Sequence, residues 1–239
     1  MSNILFDIEA NGLLRKSKDR TWNEELKKFE KGVIPKATTL WCIVAKDLET
    51  RKIYKFTPDE LEEGIKFLQN AETLVGHNII GYDIPLIEEL YNIKLTNKVI
   101  DTLVLSRLFN PQREGGHSLE AWGHRLEFKK ADQPDFDEYS EEMLEYCVVD
   151  VNVNEKVYQQ LQREQAEDLF GVGFQQQSID LEHAVARIMF AQEQNGFMLN
   201  ESKVSSLLNQ FKDELSRIEK KVRETFPPIK VEHKLVTPY

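Results

Sequence analysis

Residues 3–9 alternate in the manner of a strand, with Ile4, Phe6 and Ile8 on one side and Leu5, Asp7 and Glu9 on the other. Asn11-Gly12 then marks a turn. Two further runs, TLWCIVAKD (39–47) and TRKIYKFT (50–57), predict a hairpin. ETLVGHN (72–78) predicts a short buried strand. KVIDTLVLSRLF (98–109) predicts a strand that passes into a helix near Asp101, a residue type suited to N-capping. Helical patterns cover PDELEEGIKFLQN (58–70), DIPLIEELYNI (83–93) with Pro85 in the first turn, and HSLEAWGHRL (117–126). A long helix is predicted over 140–165 with Ser140 as its N-cap, and another over 178–197 ended by Asn195-Gly196.

Residues 15–37 are mostly charged and polar. Trp22, Leu26 and Phe29 fall at near-helical spacing and predict a short amphipathic helix ending at Gly32. Near the C-terminus Val204, Leu208, Phe211, Leu215, Ile218 and Val222 form an apolar seam of about three heptads. The favoured expectation is that this seam packs on the preceding domain; pairing with a partner helix is the alternative. Strands crowd the first 101 residues and helices fill the rest, so the fold class is α/β or α+β.

The chain has 239 residues, of which 41% are hydrophobic and 30% charged, the composition of a globular protein. No stretch is long enough to span a bilayer, and no secretion signal is expected. Cys42 and Cys147 lie in apolar runs without metal-ligand spacing and read as buried thiols. The net charge of −10 argues against a broad basic surface gripping a duplex. It is compatible with a cluster of acids that holds a nucleic-acid end through metal ions.

Three groups of residues suggest such a cluster. Asp7 and Glu9 share one strand face about 7 Å apart, where they repel unless one is protonated or a cation lies between them. Hard oxygen ligands of this kind suit Mg²⁺ or Mn²⁺, and solvent exposure at a strand end is the plainer explanation. In HNIIGYD (77–83), Asp83 opens a helix and equally suits an N-cap, while Asn78 suits a turn. In YCVVD (146–150), Tyr146 and Asp150 are four apart on one helix face, as a core tyrosine beside a surface acid would also be.

Taken together, Asp-x-Glu on the first strand, Asn-x-x-x-Tyr-Asp in the middle and Tyr-x-x-x-Asp on a late helix resemble the three motifs of the DEDD exonucleases. They are similar to the DEDDy branch, the 3′–5′ proofreading exonuclease domain of family A DNA polymerases, and to its phage members in DIEANGLL, IDTLVLSRLF, HSLEAWGHRL and QEQNGF. The resemblance implies an RNase H-like five-stranded mixed sheet flanked by helices. It implies an exonuclease domain over residues 1–177 and a helical extension over 178–239 resembling the start of the polymerase region.

The resemblance further implies a hydrolase that uses two divalent ions, Mg²⁺ or Mn²⁺, to release nucleoside 5′-monophosphates. Asp7, Glu9, Asp83 and Asp150 would be the metal ligands, with Asp7 bridging both ions. Glu9 and Asp150 would complete the ion that activates water, and Asp83 would act through water on the other. Tyr146 would orient the attacking water, since a phenol with a pKa of about 10 is a poor base at neutral pH. Leu13 would wedge against a frayed strand, and Asn78, Tyr82, His117, Ser118 and Leu119 would border its groove. The partners implied are a single-stranded or frayed 3′ DNA end and a DNA polymerase subunit or domain, without a membrane, in the cytoplasm of a phage-infected bacterium. A chain of 239 residues suggests a stand-alone exonuclease subunit rather than part of a longer polymerase. The competing functions are an RNA 3′-end processing nuclease and a non-catalytic docking module.

Overall fold

The computed structural model describes residues 2–15, 17–23, 28–34, 36–128, 134–166 and 173–227, with side chains described outside 17–34. Its centre is a five-stranded mixed sheet. The strands are β1 (Asn3–Ala10), β4 (Leu40–Asp47), β5 (Ile53–Phe56), β6 (Thr73–Gly76) and β7 (Lys98–Asp101), in the order β5-β4-β1-β6-β7. β1 runs antiparallel to β4 and parallel to β6, and β6 is parallel to β7. The ends of β1, β6 and β7 therefore point the same way. Ligand sites in open α/β sheets form outside such strand ends.

The alternation in β1 divides the core as expected. Ile4, Phe6, Ile8 and Ala10 pack with Ile65 and Leu68 of α1 (Leu61–Gln69) and with Ile84 and Ile87 of α2 (Asp83–Tyr91). Leu5 faces the opposite layer, with Val44, Val75 and residues Leu144, Cys147 and Val151 of α5 (Glu141–Ala166). Both cysteines are free and buried. A third cluster joins Leu105 of α3 (Thr102–Phe109) and Trp122 of α4 (Leu119–Arg125) to Val153, Val157 and Leu161 of α5 and Ile179 of α6 (Gln176–Asn195).

Capping follows the local chemistry. The Asp101 carboxylate accepts from the Leu103 amide at 2.9 Å, and Ser140 Oγ accepts from the Met143 amide at 3.1 Å. Two buried polar contacts fix α5 against the sheet. Lys46 on β4 donates to Glu155 at 2.8 Å and to Asn152 at 2.9 Å, and Thr102 Oγ1 donates to Asn154 Oδ1 at 2.8 Å. Breaking a buried ion pair from one side is costly, so the Lys46–Glu155 pair locks the helix in place.

One expectation meets a different outcome. The segment predicted as a helix up to Gly32 is an antiparallel hairpin of β2 (Ser17–Asn23) and β3 (Lys28–Ile34), with Trp22 opposite Phe29. Its Thr, Trp, Phe, Val and Ile content favours a pleated backbone over the helical spacing of three residues; Leu26 lies outside the described residues. The compact unit that contains the sheet ends at Gln194 and includes α6. The second unit contains α7 (Glu201–Thr225), whose seam residues Val204, Leu208, Phe211, Leu215, Ile218 and Val222 are all at least 40% exposed. Among the described residues, no helix is long and apolar enough to cross a membrane.

Gly76 ends β6 where an added Cβ would overlap Ile79 Cγ2 and crowd the carbonyl of Phe6 at 3.1 Å. Gly76→Ala is expected to destabilise the fold by about 1–3 kcal/mol, as overpacking does. Urea unfolding checks this, and an unchanged midpoint would contradict the close approach of β6 to β1.

Candidate active site

Asp7 and Glu9 stand on the last turns of pleat of β1, on the face turned toward α5. They lie opposite Val44 and Cys42 of β4, and the β1–β4 register shifts between Glu9 and Ala10. An irregularity of this kind ends regular pairing beside the acids. The turn that follows is tied down by Asn11, whose Oδ1 accepts from the amides of Thr38 at 2.9 Å and Thr39 at 3.1 Å.

The second segment leaves β6 at His77 and reaches α2 at Asp83. Asn78 adopts a left-handed conformation, φ +64°, which asparagine tolerates better than most residues. Its carbonyl accepts from the amides of Gly81 at 2.9 Å and Tyr82 at 3.0 Å, which folds the chain back toward β1. Asp83 is the first residue of α2, with Tyr82 at the N-cap position and no side-chain cap there. The N-cap explanation for Asp83 is thus not realised; its carboxylate is 3% exposed and lines the cleft with the β1 acids. The Tyr82 hydroxyl donates to the carbonyl of Gly12 at 2.6 Å and pins this segment to the turn after β1.

The third segment is the first half of α5. Tyr146 and Asp150 lie one turn apart and are both buried, and the ring of Phe136 meets that of Tyr146 edge-on at 6.2 Å. Asp7, Glu9, Asp83, Tyr146 and Asp150 converge, with His77, Asn78, Tyr82, Ile8 and Phe136, on one cleft of about 220 Å³.

The charges in this cleft are in conflict. Burial, and then the carboxylates of Asp83, Glu9 and Asp150, hold the Asp7 carboxyl well above the usual carboxylate range. Burial pushes Asp83 up to about 8, with Asp101 adding to it and backbone hydrogen bonds opposing. Burial also raises Tyr82 and lowers His77, to about 4; His77 Nδ1 lies 2.9 Å from Thr102 Oγ1. Four carboxylates in so small a space fit divalent cations with oxygen preference, since a cation between them relieves both burial and repulsion where protonation otherwise would.

The other expected contacts fall in two groups. Leu13 is 36% exposed and lines an adjoining hollow of about 470 Å³ with Asn78, Tyr82 and Phe190. His117, Ser118 and Leu119 do not line the acidic cleft. His117 Nδ1 lies 2.9 Å from Ser106 Oγ, Ser118 Oγ caps α4 by accepting from the Ala121 amide at 3.2 Å, and Leu119 packs in the third core cluster. The backbone of His117 also hydrogen-bonds His77, which lines the cleft.

Sequence reasoning missed Phe136 and the closeness of Cys147, whose Sγ lies 3.7 Å from Asp7 Oδ2. Cys147, Asp7 and Glu9 present ligand atoms within 4.8 Å of one another. Its position next to Tyr146 on α5 was the available signal.

No family profile matches the chain. It is similar to the DNA-directed DNA polymerase of Escherichia phage T7, with 27% identity over 280 aligned positions covering 93% of this chain and 37% of that one. The polymerase of Enterobacteria phage T3 gives 27% over 283 positions, again 93% and 37%. The chain thus spans little more than a third of the length of these relatives. Among solved structures, RNase D of Escherichia coli, an exoribonuclease involved in structured RNA processing, superposes with a TM-score of 0.51 at 15% identity. That match covers 80% of this chain and 45% of that one. The fold is RNase H-like, and the resemblance carried by the motifs extends over nearly the whole chain.

Without cations, Asp83 holds a proton up to about pH 8 in the folded state, whereas its ordinary value is 3.8. A raised carboxyl stabilises the fold only at low pH, so stability from this group is lost as pH rises from about 4 to about 8. The lowered His77 opposes this between about pH 4 and 6.5, so in EDTA the melting temperature is expected to fall most clearly from about pH 6.5 to pH 8, and Asp83→Asn to flatten that fall. Mg²⁺ should restore more stability at about pH 8 than at about pH 5. Melts that are flat in the native protein, or equally sloped in Asp83→Asn, would contradict the clustering of charge.

Proposed function

We propose that this chain is a metal-dependent 3′–5′ exonuclease that acts on single-stranded or frayed DNA ends and proofreads for a replicative DNA polymerase. The observation that carries this reading is the convergence of Asp7, Glu9, Asp83, Asp150 and Tyr146 from three distant chain segments on one cleft. The similarity to the phage polymerases supports the choice of DNA, and residues 1–194 form the unit that contains the catalytic cleft.

Asp7, Glu9, Asp83 and Asp150 would hold the divalent ions, Mg²⁺ or Mn²⁺. When bound, such a pair lowers the pKa of a coordinated water and neutralises charge on the scissile phosphate and leaving oxygen. The chain itself supplies position. The four carboxylates repel a phosphodiester when bare, so DNA enters only with the counter-charge in place. Tyr146, buried against Phe136, is aimed into the cleft where it orients the attacking water. Leu13, Tyr82 and Phe190 offer apolar faces to the last bases beside the cleft. Stacking of that kind accepts any base, as a proofreader requires. Selection of mispairs then comes from fraying, because a mismatched end unpairs more cheaply. A polymerase domain or subunit is the partner this activity calls for.

On 3′-recessed and single-stranded DNA labelled at the 5′ end, Mg²⁺ is expected to yield stepwise shortening from the 3′ end with nucleoside 5′-monophosphates released. Asp7→Ala and Glu9→Ala should abolish cleavage while circular dichroism stays native. Tyr146→Phe should slow turnover by about 10–10³-fold. Ca²⁺ should support binding with little hydrolysis, because its looser coordination places water poorly. Cleavage of RNA in preference to DNA would favour end-processing of RNA, and full activity in Asp7→Ala would remove the acids from the reaction.

A further inference from the structure

Asp101 does not line the acidic cleft, yet the segment that carries Asn78 and Asp83 is built on it. Its side chain is buried, and its carboxylate accepts from the amides of Asn78 at 2.8 Å and Ile80 at 3.0 Å as well as from Leu103 at 2.9 Å. Bonds to an ionised acceptor are about twice as strong as neutral ones, and a buried carboxylate depends on them. The turn they start is completed by the Asn78 carbonyl, which holds Gly81 and Tyr82, and the next residue is Asp83.

The neighbouring residue extends this hub to α5. Thr102 Oγ1 donates to Asn154 Oδ1, four residues beyond Asp150, and meets His77 Nδ1 at 2.9 Å. The amide of Asp101 in turn donates to His183 Nε2 at 2.8 Å. His183 Nδ1, 2.8 Å from the carbonyl of Ile179, is the donor there, so Nε2 is left as the acceptor. α6 thereby reaches the junction of β7 and α3.

We propose that Asp101 is a positioning residue for the nuclease reaction, setting the backbone of residues 77–83 and hence the place of Asp83 and Asn78, with His183 making α6 part of that support. This rests on the nuclease reading above. Misplacement of a catalytic group by about 1 Å costs on the order of 10²-fold in rate. Asp101→Asn keeps one accepting oxygen but turns an NH₂ group toward a backbone N–H. His183→Ala removes the acceptor of the Asp101 amide, and His183→Gln can restore it through Oε1.

The test uses the full chain and two readouts. NMR-detected amide exchange, without metal, reports on the turn directly; Ile80, whose acceptor is the oxygen replaced, should exchange at least about tenfold faster in Asp101→Asn, and Asn78 and Ile80 should exchange faster in His183→Ala than in His183→Gln. On single-stranded DNA, Asp101→Asn should lower kcat by about 10–10²-fold and raise the Mg²⁺ concentration for half-maximal rate, with KM for DNA within about threefold. Unchanged exchange at residues 78–80, or native turnover per folded molecule in Asp101→Asn, overturns the proposal. If the native chain leaves DNA intact, the nuclease reading fails, and the exchange data still decide whether Asp101 sets this turn.

Discussion

The structure depends on keeping like charges together. Asp7, Glu9, Asp83 and Asp150 occupy one small cleft, and burial and the other three acids all act to raise the Asp7 carboxyl above its ordinary range. Left to itself, a chain would separate these groups or drive them into solvent. The fold prevents both, because each acid sits on an element whose other face is committed to the core. Ile8 anchors the strand between Asp7 and Glu9, Ile84 anchors the helix that starts with Asp83, and Val151 and Cys147 anchor the turn that bears Asp150.

Rigidity around the cleft is supplied by polar contacts as well as apolar packing. Lys46 and Glu155 hold α5 to β4, and Thr102 and Asn154 hold it to the start of α3. Tyr82 and Gly12 join the second acidic segment to the first. These are long-range bonds, each tying an element that carries part of the site to its support or to another part of the site. A site assembled in this way keeps its shape before any cation arrives, which is the condition for electrostatic preorganisation. The net charge of −10 is consistent with it: binding to a polyanion is delegated to ions at one point instead of to a basic surface.

Much of this was legible in the residues. The two-sided alternation of β1 named both the core face and the acids, and the spacing in YCVVD put Tyr146 and Asp150 on one side of a helix. Asp101 and Ser140 were readable as caps because capping is a local event, decided within four residues. The hairpin at 17–34 was not, since Trp22, Leu26 and Phe29 match a helical stripe as well as they match strands. Nor is the partner of the seam on α7 legible, because an amphipathic pattern states that a face is apolar without stating what covers it.

By itself, then, the amino-acid order determined most of the elements and the sheet-with-helices class, which follow from periods of two and 3.6 residues, while the four acids and the tyrosine were singled out by the resemblance of their motifs to the DEDD exonucleases. Only the tertiary structure decided that Asp83 faces β1 rather than capping its helix, that His117, Ser118 and Leu119 stand outside the acidic cleft, and that Asp101 carries the turn before α2. Those outcomes are set by parallel crossovers that bring residues 7, 83 and 150 together, and by hydrogen bonds spanning twenty or more residues. Periodicity is a property of neighbours along the chain, and convergence is a property of how the elements are stacked.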